Sequence, residues 1–105
     1  MSRQVVVIRK KWAGKSQDEI CADWRKRSFS CAVWIDPPGQ RWEGYVHDVD
    51  ELVTPLDGPM EFEIEGTVYT LMPGDECYIP ARAVHSARNR SNRMVRWLYG
   101  YAQPA

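Results

Sequence analysis

Residues 39–58 read GQRWEGYVHDVDELVTPLDG, and residues 74–89 read GDECYIPARAVHSARN. Both stretches set short apolar and aromatic runs between Gly and Pro. Runs of about 4–8 such residues bounded by turn formers read as β-strands. Trp42 to His47 forms one strand, and Glu51 to Leu56 a second that ends near Asp57-Gly58-Pro59. Glu76 to Ile79 forms a third, closed by Pro80, and His85 to Arg90 a fourth.

The same pattern extends outward. SFSCAVWI (28–35) alternates and then meets Pro37-Pro38-Gly39. Met60 to Glu65 and Thr67 to Leu71 make a hairpin around Glu65-Gly66. Met94 to Tyr101 is the last strand, and VVVIR (5–9) the first. Only one segment breaks the series. Ser16-Gln17-Asp18-Glu19 has Ser and Glu at capping-box spacing, and Ile20 and Trp24 then share one helix face. This predicts a helix over 17–27 with that face on the core. Many short strands with Gly/Pro turns predict an all-β sandwich or barrel.

A chain of 105 residues has the length of one domain, here 1–105. Its 44% hydrophobic and 27% charged residues are ordinary globular composition. Lys+Arg and Asp+Glu are both 14, which argues against nucleic acid or an anionic membrane as partner. No apolar run approaches the ~18 residues of a membrane span, and nothing reads as a signal peptide or a DNA-binding segment. Cys21, Cys31 and Cys77 are an odd number at wide spacings. They read as three reduced, buried thiols of a cytoplasmic protein.

The two histidines, His47 and His85, fall in the two opening stretches. Tyr45 and His47 share a strand face by parity, and Glu51 follows four residues after His47. Two imidazoles and one carboxylate from neighbouring strands suit a divalent transition metal (Fe, Mn, Ni or Zn) with open positions left for other ligands. Spacing alone does not select this set.

The spacing of the fixed residues resembles the cupin superfamily, of the small, single-domain, RmlC-like kind. Gly39, His47, Glu51 and Gly58 stand at the positions of its first motif, and Gly74, Pro80, His85 and Asn89 at those of its second. Tyr45 stands where the first metal-binding His is usual, and Arg82 where a Gly is. The resemblance covers roughly 29–101, leaving the first strand and the helix (1–28) outside it. It implies a small jelly-roll β-barrel, or double-stranded β-helix, with metal ligands His47, Glu51 and His85. It also implies a homodimer.

Within that frame Tyr45 is a candidate proton donor or substrate contact. Arg82 either holds an anionic substrate group at the barrel mouth or belongs to a solvated face. Asn89 meets substrate or ties down the turn after His85. Trp34 and Phe62, with Trp97 and Tyr99, line or underpin a pocket for a small molecule. Glycines 39, 58 and 74 serve turns that need a positive φ. The functions in view are a metal-dependent enzyme, with dioxygenase chemistry favoured, a metal-free epimerase-like enzyme using His and Tyr, and a non-catalytic small-ligand module.

Overall fold

A computed structural model describes residues 3–104. In chain order it contains β1 (Val6–Ile8), α1 (Gln17–Lys26), β2 (Ala32–Asp36), β3 (Arg41–Tyr45), β4 (Glu51–Pro55) and β5 (Met60–Ile64). These are followed by β6 (Thr67–Leu71), β7 (Glu76–Ile79), β8 (His85–Arg88) and β9 (Val95–Tyr101). One sheet has the order β1-β7-β4-β9-β2 and the other β3-β8-β5-β6, with every pairing antiparallel. The two layers form the expected jelly roll. The hairpin turn falls at Glu65 (φ 49°) and Gly66 (φ 82°), where two successive left-handed residues match the strands' twist.

The inner faces of the sheets close on Val53, Met60, Phe62, Ile64, Leu71, Cys77, Ile79, Val95 and Trp97. Burying a side chain of this kind stabilises by roughly 1.5–3 kcal/mol. A second cluster lies on the outer face of the five-stranded sheet. There Ile20, Cys21 and Trp24 of α1 cover Leu52 and Leu98. This explains why β4 is buried at all five positions: Val53 faces the barrel interior and Leu52 the helix.

The capping box forms as the sequence predicts. Glu19 N–H donates to Ser16 Oγ and Ser16 N–H to Glu19 Oε1, both at 3.2 Å. A buried carboxylate then fastens the helix to the barrel. Glu76 Oε1 on β7 accepts from Trp24 Nε1 (2.8 Å), Trp12 Nε1 (3.0 Å) and Arg27 Nη2 (2.7 Å), and Glu76 Oε2 accepts from Lys11 Nζ (3.2 Å). Burial pushes this carboxyl up. The Arg27, Trp12 and Trp24 donors outweigh burial and hold it below the usual glutamate range.

Two expectations are corrected. Cys21 and Cys31 are joined in a disulfide, with Cα atoms 5.4 Å apart, so Cys77 is the free thiol. The chain reverses after α1 through Ser28 (φ 65°) and returns beside the helix, which a spacing argument does not register. The reduced-thiol ground for a cytoplasmic location falls with this pairing. Burial raises the Cys77 thiol to about 12, so it stays protonated and unreactive. Gly39 (φ 80°) and Gly74 (φ 89°) do take positive φ, but Gly58 does not. Gly58 is needed for space, since a Cβ there would lie 2.8 Å from Val95 Cγ2. Among the described residues, no helix is long and apolar enough to cross a membrane.

Thiol titration of unfolded, unreduced protein should find one free thiol per chain, rising to three after reduction; three before reduction would contradict the pairing. Glu76→Gln should cost about 3 kcal/mol at neutral pH, because it leaves cationic and indole donors short of an acceptor. The stabilisation from a lowered folded pKa is complete above the ordinary glutamate value and is lost as pH falls through the folded one. Urea titrations across the acid range should therefore show a shallower acid loss of stability in the variant than in the parent.

Candidate metal centre

His47 and Glu51 of the first motif and His85 of the second meet between the two sheets. Glu51 opens β4 in the five-stranded sheet, and His85 opens β8 in the four-stranded sheet. His47 sits in the turn after β3. That turn is tied to the loop before β8: Arg82 N–H donates to His47 O at 2.7 Å, and Ala81 N–H to Asp50 Oδ1 at 2.8 Å. These bonds set the two imidazole centroids 5.0 Å apart. One ligand atom from each of His47, Glu51 and His85 lies within 4.8 Å of the others.

The protonation pattern follows from hydrogen bonding. His85 Nδ1 lies 3.0 Å from Ala83 O, and a carbonyl can only accept, so Nδ1 carries a hydrogen. In neutral His85, Nε2 then presents a lone pair towards Glu51 Oε1, 3.2 Å away. His47 Nε2 is 3.6 Å from the same oxygen. Glu51 is 4% exposed, and its Oε1 has no hydrogen-bond partner. The short His85–Glu51 distance and the orphaned oxygen are consistent: with Nδ1 protonated, two acceptors face each other, and a cation between them satisfies both. Two imidazole nitrogens and one carboxylate oxygen, with one imidazole oriented by a backbone carbonyl, are a donor set that fits a divalent transition metal. Without a metal, the same geometry makes an ion pair. Burial then lowers His85, the adjacent Glu51 carboxylate and the Ala83 carbonyl raise it, and the balance lies above the ordinary histidine value.

The centre opens into a cavity of about 230 Å³. Trp34, Tyr45 and Phe62, each expected at the site, line it with Trp97 and Tyr99. Tyr45 pairs with His85 in the β3–β8 register, and its ring stacks on His47 at 14° with centroids 6.3 Å apart. Trp42 and Tyr101 complete the wall and were not singled out from the sequence. A bulge between Trp42 and Tyr45, at Gly44 (φ 68°), turns both side chains inward, so parity counting fails there. Tyr101 continues the two-residue period of Trp97 and Tyr99, which was visible in the sequence. Its hydroxyl lies 3.5 Å from His47 Nε2. Burial, with the Glu51 carboxylate near, pushes it up to about 12.

The structure places two candidates elsewhere. The Arg82 side chain is exposed, 3.8 Å from exposed Asp48, and borders a separate groove beside Pro80 and Ala81. Its backbone takes φ 69°, the conformation that the motif's usual Gly provides. Asn89 is 1% exposed and away from the cavity. Its amide donates to Asp36 O, Pro37 O and Arg93 O and accepts from Ser91, so it ties down the turn after β8.

The cupin domain family matches residues 32–101. The chain belongs to the cupin family. No curated protein matches it significantly. Among solved structures, this cupin is similar to the Cupin_2 domain of an XRE family transcriptional regulator from Enterobacter cloacae. Identity is 25%, the match covers 98% of this chain and 100% of that one, and the TM-score is 0.67. AerE from Microcystis aeruginosa has 21% identity over 72% of this chain and a TM-score of 0.68; this cupin spans only 36% of AerE. The cupin domain of Schizosaccharomyces pombe Cnp3 has 20% identity, covers 73% of this chain and 57% of that one, and has a TM-score of 0.67. The last two support the fold alone.

A non-glycine residue in the left-handed region costs about 1–2 kcal/mol, and Gly recovers part of that against its larger unfolded-state entropy. Arg82→Gly should therefore raise stability by up to about 1 kcal/mol in denaturant unfolding. A loss of stability would contradict the strain at Arg82.

Proposed function

We propose that this cupin holds one divalent transition metal on His47, Glu51 and His85 and acts there on a small organic molecule. The observation that carries the reading is the buried Glu51 oxygen, which faces two imidazoles and makes no hydrogen bond. When bound, such a metal supplies Lewis-acid or oxygen-activating chemistry, and three protein ligands leave positions open for other molecules. The chain's own groups do the rest. Ala83 O holds the His85 ring in the tautomer that presents Nε2. Tyr45, at the mouth, and Tyr101, against His47, are the hydroxyls placed to give or hold a proton. The aromatic wall gives the bound molecule an apolar surface. The balanced charge of the chain supports a small molecule, not nucleic acid or a membrane, as the partner. As the family resemblance implies, we take the working unit to be a homodimer.

A second reading is favoured by the full-length match to a regulator's domain. In it, the same cavity binds a small ligand without turning it over. Substrate consumption under multiple-turnover conditions separates the two.

Elemental analysis of protein purified without chelator or affinity tag should find about one transition metal per chain. Glu51→Ala should lower metal affinity by more than about 100-fold, beyond the usual effect of removing an outer partner of a ligand. Added metal should raise the melting temperature of the metal-depleted parent and not of the variant. No bound metal, together with no thermal shift from added zinc, nickel, manganese or iron, would overturn the reading.

A further inference from the structure

The cavity wall is unusual in where its polar atoms point. Asp36, at the end of β2, is fully buried. Its Oδ1 accepts from Trp34 Nε1 and Trp42 Nε1, and its Oδ2 from Trp97 Nε1, each at 2.9 Å. All three indole N–H groups are thereby engaged by one carboxylate, and the tryptophans offer the cavity only ring surface. The rings hold one another edge to face. Trp34 and Trp42 lie 5.7 Å apart at 74°, Trp34 and Tyr99 6.3 Å apart at 78°, and Phe62 and Trp97 5.4 Å apart at 82°.

Charge in the cavity is confined to the ligand end. Among the described residues, no Lys or Arg lines it, and Arg82 points away. Away from His47, Glu51 and His85, a polyhydroxylated ligand would find only the hydroxyls of Tyr45, Tyr99 and Tyr101 as side-chain partners in the lining. A ligand with an anionic far end would meet no cation and would leave its charge against rings, which desolvates it without compensation. The volume accommodates a ring: an enclosed cavity of about 150 Å³ accepts benzene, and this open one of about 230 Å³ has room for one ring with a small substituent.

We propose that the ligand of this site is a single flat unsaturated ring carrying one oxygen-donor group that reaches the His47–Glu51–His85 centre, with no charge at the opposite end of the ring. This rests on the metal-centre reading for its donor group, and on the Asp36-anchored wall for its ring. Trp34, at the mouth and 41% exposed, would cover one side of the ring.

Hydroxamates test the ring while the metal-binding head stays constant. Zinc-loaded protein is titrated calorimetrically with acetohydroxamate, benzohydroxamate, cyclohexanecarbohydroxamate and 4-carboxybenzohydroxamate. Benzohydroxamate should bind about tenfold or more tightly than each of the other three, from ring contacts and the absence of a buried charge. Trp34→Ala should weaken benzohydroxamate by about tenfold and acetohydroxamate by less than about threefold. Equal affinities for the four compounds on metal-loaded protein would overturn the ring proposal and leave the metal centre standing. If the protein holds no zinc, the metal reading fails, and phenol against cyclohexanol is titrated on metal-free protein by tryptophan fluorescence. Tighter phenol binding there supports the ring slot, and equal binding overturns it.

Discussion

A carboxylate oxygen enclosed in the barrel, facing two imidazoles and making no hydrogen bond, is the constraint around which the functional end of this protein is arranged. Leaving such an atom unpartnered costs about 1–3 kcal/mol, and more for a charged group. Glu51 Oε1 nevertheless has His85 Nε2 at 3.2 Å and His47 Nε2 at 3.6 Å, two nitrogens delivered by different parts of the fold. The arrangement requires both layers of the jelly roll. Glu51 comes from the five-stranded sheet, His85 from the four-stranded sheet, and His47 from a turn fixed by backbone bonds to the loop before β8.

Two other buried carboxylates organise the tryptophans of the fold. Asp36 works inside the barrel, turning three indoles so that their rings form the cavity wall. Glu76 works on the outside, gathering Trp12, Trp24 and Arg27 so that the helix is locked over Leu52 and Leu98. One chemical device, an indole N–H donating to a buried carboxylate, thus shapes the pocket in one place and stabilises the fold in the other. A neutral isostere at either position would leave donors short, so each carboxylate matters through its two acceptor oxygens as much as through its charge.

The strand pattern was legible in the sequence because Gly and Pro bound nearly every run. β6 and β7 fall within the residues expected, and the helix ends one residue short of the expected span. The first long run, 28–35, starts later, at Ala32, because Ser28 takes a left-handed conformation and Phe29 makes only an isolated bridge to Ala102. The convergence of His47, Glu51 and His85 was legible because the chain has two histidines and both sit at motif spacing. Asp36, Trp42 and the Cys21–Cys31 pairing were not. Asp36 acts through partners 2, 6 and 61 residues away. Trp42 reaches the cavity only through a bulge, and the disulfide depends on a chain reversal that composition does not encode.

The most direct measurement is diffraction from crystals of the natively purified protein, with data collected on both sides of the absorption edge of its metal. The account predicts one anomalous peak per chain, at about 2.0–2.2 Å from a nitrogen of His47, an oxygen of Glu51 and Nε2 of His85. A site without such a peak, in which His85 Nε2 lies within hydrogen-bond distance of Glu51, would contradict it.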